Sequence, residues 1–476
     1  MKNLILPRAI RYLSYFFPQK TIELHPFDIE IHMLFNTPEF CGFFVLITLL
    51  VYTLNLFHQY KLRNLVLLVA SYGFYANLHL YYPLLLLYVT LVAYTGGHLL
   101  QRNFSFSTNK WIVGGTIILS LLPLVVLKYA PAYTSSLWLP VGLSFFTFQA
   151  LTYTLDVYRR KITESFSLLD VALFTAFFPT LLSGPIERAR NLIPQLRAPF
   201  PMNWDNAVIG AKYFAWGLFK KIVIADRLAE WIDRIYANGL SESGSTLALT
   251  AVLYSIQIYC DFSGYASMAL GCGRILGLRL TDNFNFPYFA SSIKDFWRRW
   301  HISLTSWFTE YVYISLGGNK VSKTRWVLNI SAVFLLSGIW HGATWSFVIW
   351  GAIHGVLYLL EHFSGIKDKW GIYRLIVFIG VTLAWVFFRV PDTQLACDMI
   401  AKMFTGPWVP FGLLQYMSQE TLIMCLLTFI FIVTEYLLYK QWYSRHWLFQ
   451  TFCFSGLLVL TALFAVSSEK FVYFQF

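Results

Sequence analysis

The sequence predicts an all-α polytopic membrane protein, and three observations carry that prediction. Hydrophobic residues make up 57% of the 476-residue chain and aromatic residues 19%. Charged residues make up only 13%, about half the share of an ordinary soluble domain. Apolar runs recur along the whole length, so the chain reads as many membrane crossings and not as one anchored globule.

Taken in order, residues 1–32 carry Lys2, Arg8, Arg11 and Lys20 but no continuous apolar core of the kind a cleavable signal peptide needs. They read as a basic leader or interfacial helix, with Met33 in MLFNTPEF an alternative start. Apolar runs then fall at about 39–57, 64–77, 82–100, 111–127, 136–155, 168–184, 207–225, 246–272, 326–340, 343–361, 372–390, 421–439 and 447–466. Several are shorter than the roughly 20 residues of a straight span. Those predict half-helices or re-entrant segments buried in protein, leaving about eleven true spans. The polar intervals, about 156–168, 185–206 and 274–325, stay rich in Trp, Phe and Leu. No Gly/Ser linker, low-complexity stretch or repeat separates a second domain, so 33–476 reads as one helical membrane domain.

The net charge of +12 matches an excess of Lys and Arg on cytoplasmic loops and needs no nucleic-acid partner. Six cysteines, Cys41, Cys260, Cys272, Cys397, Cys425 and Cys453, form no CxxC or His-Cys spacing and lie mostly in apolar runs. They point to neither a metal nor a disulfide frame. Basic loops orient the C-terminal half: GIKDKWGIYR (365–374), KQWYSRH (440–446) and VSKTR (321–325) are expected in the cytoplasm. The cation-poor stretch 391–420 and the tail SSEKFVYFQF are then expected outside, and the 326–340 run climbs away from the cytoplasm towards His341.

A histidine deep in the membrane must face a cavity or a partner, which makes His341 in FLLSGIWHGATWSFVIWGAIHG (334–355) a functional candidate by default. Gly338 and Gly342 let another group approach it, and Trp340 and Trp345 are placed to wall a dry pocket. His354, thirteen residues on, falls on a different helical face, which argues against a metal-binding histidine pair here.

The second informative stretch is IKDFWRRWHISLTSWFTEYVYISLGGNK (293–320). Read as one helix, Trp297, Trp300, Leu304, Trp307 and Tyr311 form an apolar stripe, and Lys294, Arg298, His301 and Thr305 form a second stripe at the same spacings. A basic interfacial helix meeting lipid phosphate is the plain alternative. A cationic groove that leads to a neutral imidazole suits an anionic acyl carrier.

Eight blocks carry a family resemblance: PVGLSFFTFQALTYTLDVYRRK (140–161), FFPTLLSGPIERARNLIPQL (177–196), GLFKKIVIADRLA (217–229), YCDFSGYASMALGCGRILGLRLTDNFNFPY (259–288), DFWRRWHISLTSWF (295–308), SGIWHGATWSFVIWGAIHG (337–355), AWVFFR (384–389) and the terminal FVYFQF. With them, the chain from Met33 to Phe476 resembles the membrane-bound O-acyltransferase superfamily, in its bacterial branch of alginate-type acetyltransferases that O-acetylate extracytoplasmic polysaccharides. The resemblance implies about eleven tilted spans, with re-entrant and interfacial helices, around a central tunnel that joins cytoplasm to exterior. It implies His341 as catalytic histidine and His301 in the position of the second polar residue. The implied donor is acetyl-CoA, with a D-alanyl carrier protein, as in teichoic-acid D-alanylation, the alternative. Alginate, cellulose, another exopolysaccharide and peptidoglycan all stay open as acceptors, and a periplasmic SGNH-type acetyltransferase is the expected partner.

In this reading His341 takes the proton of an acceptor hydroxyl as general base, His301 donates to the developing oxyanion or positions the acyl carbonyl, and no cofactor or metal is needed. Lys294, Arg298, Thr305, Trp340, Trp345 and Asp261 are expected to bind the donor or line the tunnel. Asp261 has a structural alternative, anchoring a neighbouring Arg, and Glu187 with Arg188 and Arg190 in SGPIERAR reads as a structural turn with an ion pair. Tyr473 in FVYFQF, the only phenol of a tail otherwise made aromatic by Phe471, Phe474 and Phe476, is expected to hold the acetyl group as an aryl ester in transit. A tail of the same kind ends the small membrane peptide of the D-alanylation system, and an aromatic belt is its plain alternative. A proton-coupled transporter, the main class outside enzymes, would call for paired broken repeats that the sequence lacks.

Overall fold

The computed structural model describes residues 33–102, 104–129, 140–201, 203–365, 371–408, 418–441 and 447–466. The basic leader and the tail with Tyr473 lie outside the described residues. Helices, and no strands, make up the described elements: α1 (Pro38–Leu56), α2 (Tyr60–Leu78), α3 (Tyr82–Leu100), α4 (Phe106–Tyr129), α5 (Leu143–Tyr158), α6 (Leu168–Ala176), α7 (Phe178–Leu181), α8 (Ala189–Arg197), α9 (Trp204–Leu218), α10 (Asp226–Asn238), α11 (Gly244–Ile275), α12 (Ile293–Arg299), α13 (Ile302–Trp307), α14 (Lys323–His341), α15 (Trp345–Ser364), α16 (Ile372–Arg389), α17 (Thr393–Thr405), α18 (Gln419–Tyr439) and α19 (Trp447–Phe464). Among the described residues six helices, α1, α3, α4, α15, α16 and α18, are long and apolar enough to cross a membrane.

Several of the remaining helices are interrupted or more polar, and these are held from within. The 168–184 run breaks at Phe177, whose extended ψ of 108° precedes the Phe178-Pro179 pair. The Phe178 N–H freed by the break donates to Ser71 Oγ at 3.1 Å, so the half-helix leaves no orphan donor there. Helix α11 is the buried axis of the molecule. It packs backbone to backbone on α9, because a Cβ at Gly210 or Gly217 would run into the carbonyl oxygens of Gly271 and Gly264.

A π-helical turn, Phe219–Ala225, joins α9 to α10 and turns Lys221 inward. Its ammonium is shared between Asp226 at 2.6 Å and Asp261 at 2.8 Å, all three buried. Asp261 therefore anchors a lysine, where its structural alternative had it anchor an arginine.

A second ion network ties the end of α5 to the segment before α8 and to the π-helical turn Phe308–Tyr313 that follows α13. Glu310 takes Arg188 at 3.1 Å, Arg190 at 2.9 Å and Lys161, while Arg190 also reaches Asp156 at 2.7 Å. The ion pairs of the SGPIERAR turn thus run to Glu310 and Asp156. Glu187 instead accepts hydrogen bonds from the Thr281 N–H at 2.5 Å and hydroxyl at 3.1 Å. Ser346 Oγ donates to Pro391 O at 2.8 Å, so the start of α15 and the end of α16 share one face of the molecule, the same relation the basic-loop count requires.

Candidate active site

Helices α12 and α13 are not one amphipathic rod. The chain is extended at Trp300 and left-handed at His301, with φ 43° and ψ 54°, a conformation that costs a residue with a side chain about 1–2 kcal/mol. Asn283 staples the break: its carbonyl accepts from Ile302 N–H at 2.9 Å and its side-chain oxygen from Ser303 N–H at 3.2 Å. The break turns His301 inward, to 1% exposure, while Lys294 and Arg298 stay at the surface. The expected single stripe of Lys294, Arg298, His301 and Thr305 is therefore divided. Thr305 is half-buried and its hydroxyl is taken by the Trp300 carbonyl at 3.2 Å.

His341 is the last residue of α14 and is 4% exposed. Helix α14 lies against α15 at glycine contacts: a Cβ at Gly338 would meet the Phe347 carbonyl, and one at Gly351 the Phe334 carbonyl. Edge-on aromatic rings surround the imidazole, Trp340 at 4.7 Å, Trp350 at 4.9 Å and Phe388 at 5.0 Å between centroids. His301 lies 4.6 Å from Phe262, 6.0 Å from Phe145 and 6.3 Å from Trp340. Trp340 is thus the shared wall between the two histidines, and His341 is in electrostatic reach of His301, Lys128 and His354. Trp345 is not part of this wall. It starts α15 at 75% exposure, because Gly342 extends the chain away from the site before the next helix begins.

A cavity of about 820 Å³ between α9, α11, α18, α19 and the 281–286 segment reaches Ile302, the neighbour of His301. Its wall includes Lys220, bonded to Ser263 O at 3.1 Å and Ser267 Oγ at 2.9 Å, and Glu435, which accepts from Tyr259 OH at 3.0 Å. Asn283 lines it too, with a buried side-chain amide nitrogen that has no partner among the described residues. Sequence reasoning missed Lys128, Asn283, Lys220 and Glu435. Two of these had a signal: Glu435 and Lys220 are charged residues inside apolar runs. Among the described residues, no group of three or more His, Cys, Asp or Glu is arranged to hold a metal ion.

Two buried imidazoles thus lie beside one tryptophan in a fold of apolar helices. A family model for the membrane-bound O-acyltransferase (MBOAT) family matches residues 118–365, which hold both histidines. The chain belongs to the membrane-bound O-acyltransferase family: it is a multi-pass membrane protein and an O-acyltransferase. It is 36% identical over 404 residues to the probable alginate O-acetylase AlgI of Pseudomonas aeruginosa, covering 79% of this chain and 76% of that protein. It is 35% identical over 424 residues to the peptidoglycan O-acetyltransferase of Helicobacter pylori, covering 78% and 80%. With the teichoic acid D-alanyltransferase of Bacillus subtilis it shares 28% identity over 341 residues, 66% of this chain and 82% of that one.

Proposed function

We propose that this O-acyltransferase moves an acetyl group from cytoplasmic acetyl-CoA across a bacterial cytoplasmic membrane for O-acetylation of an extracytoplasmic polysaccharide such as alginate. The observation that carries the reading is the meeting of His301 and His341 around Trp340, at a helix break and at the end of the next long helix. The names of the relatives at 35–36% identity, O-acetylating enzymes of alginate and of peptidoglycan, support the substrate class.

In the proposed step a hydroxyl oxygen attacks the thioester carbonyl while His341 takes the hydroxyl proton. His301 donates a hydrogen bond to the oxyanion as charge develops there. The C–S bond then breaks, and the leaving thiolate recovers the proton from His341. The cavity beside Ile302 suits the donor's thioester arm. Tyr473, outside the described residues, is proposed as the immediate acceptor, holding acetyl on its phenolic oxygen until a periplasmic SGNH-type acetyltransferase collects it. D-alanyl transfer is the second reading, and Glu435 in the cavity wall favours it to the extent that a carboxylate would meet an aminoacyl ammonium.

The test is labelled acetyl transfer from acetyl-CoA in membranes of producing cells, with D-alanyl carrier protein as the competing donor. His341→Ala is expected to abolish transfer while the protein stays inserted, and retained activity removes the assignment. Tyr473→Phe keeps the aromatic tail and removes only the oxygen. Loss of polysaccharide acetylation, with acetyl found on wild-type Tyr473 by mass spectrometry, is the expected result; normal acetylation in that variant makes the tail an anchor.

A further inference from the structure

Helix α14 ends on His341 without an end-cap of its own. Gly342 is extended, with φ −173° and ψ 170°, and makes no capping hydrogen bond, so the last-turn carbonyls need partners from elsewhere. They find them on a different span. At the end of α4, the Lys128 ammonium donates to Trp340 O and the Tyr129 hydroxyl donates to Ile339 O. The same ammonium lies 5.5 Å from the centroid of the Trp340 ring, the ring that lies beside both histidines.

We propose that Lys128 and Tyr129 are positioning residues for His341: together they cap the C-terminus of α14 from α4 and fix the backbone that aims the imidazole. Three physical effects act in the same direction. Two consecutive last-turn carbonyls are satisfied. A cation sits at the negative end of the α14 dipole, where it stabilises that end. A cation over the Trp340 face adds attraction to the ring itself. The glycine contacts with α15 already hold α14 closely, and the α4 clamp adds a second constraint at its end. A peripheral, largely lipid-facing span thereby becomes part of the machinery.

The inference rests on His341 being the general base. The full-length protein is compared as wild type, Lys128→Met, Lys128→Arg, Tyr129→Phe and His341→Ala, for turnover, KM for acetyl-CoA and protein amount in the membrane. Loss of aim costs turnover and not donor binding, so Lys128→Met is expected to lower kcat on the order of 10²-fold with KM and protein amount close to wild type. Lys128→Arg, which keeps a charged donor, is expected to recover most of the loss, and Tyr129→Phe to lower kcat severalfold. Wild-type kcat in Lys128→Met, or a loss explained by lower protein amount, overturns the proposal. If Lys128→Met is not recovered folded, Tyr129→Phe decides: unchanged kcat overturns it. Inactive His341→Ala beside fully active Lys128→Met sinks the clamp alone, whereas active His341→Ala sinks the functional reading beneath it.

Discussion

At the scale of single residues, His301 is the informative position. Its left-handed backbone is one that residues other than glycine seldom adopt and that often marks a functional site, and it holds because Asn283 binds the two N–H groups that follow. Removing the Asn283 side chain leaves the buried Ser303 N–H without its acceptor, a loss of about 1–3 kcal/mol. Asn283→Ala is therefore expected to lower turnover by roughly tenfold or more, at a tenfold change for each 1.36 kcal/mol, while the protein still elutes as the wild type does. Turnover equal to wild type would mean that the backbone bond from Ile302 to Asn283 holds the break unaided.

At the scale of elements, the Glu310 network holds three segments together outside the six spans. Burial by itself raises the Glu310 carboxyl, but hydrogen bonds from Arg190, Lys161 and Arg188 outweigh it and hold the group at about 2. The sign follows: a carboxyl held below its unfolded value of about 4.3 stabilises the fold fully above that pH, and the contribution drains away as pH falls towards 2. In detergent, the wild-type melting temperature is expected to fall more steeply below about pH 4.3 than that of Glu310→Gln, which has already lost the charge. The variant is expected to melt lower at neutral pH, where its three cations lose their shared partner. Parallel curves for the two proteins would show that the network contributes nothing through this group.

At the scale of the whole molecule, the α14–α15 and α16 connections decide which side each histidine is reached from. Ser346 and Pro391 share a face, and the sparse cations of 391–420 predict that this face is the outer one. With the six native cysteines replaced, a single cysteine at Trp345 or Asp392 is expected to react with an impermeant maleimide on intact cells. One at Ser322 is expected to react only after permeabilisation. The opposite pattern would invert the proposed direction of acetyl transfer.

Much of this fold was legible in the sequence because helix formation in a membrane is a local matter. The apolar run at 82–100 is the helix Tyr82–Leu100 and the run at 372–390 is Ile372–Arg389, whereas the run at 168–184 breaks at Phe177, which its apolar pattern did not mark. Run length, polarity and a 3.6-residue period are properties of neighbours in sequence, and the family blocks likewise marked His301 and His341. The surroundings of the two histidines were not legible. The period across 293–320 joined His301 to Lys294 and Arg298 on one face, whereas the folded chain turns it away from them, because Asn283, 18 positions upstream, satisfies the N–H groups that a continuous helix would have used. Trp345 looked like a wall and is exposed; Lys128 looked like the end of a span and caps the helix of His341. The sequence by itself determined the helices and the candidate pair, and only the tertiary structure decided which side chains surround that pair, since buried polar groups must find partners wherever packing supplies them.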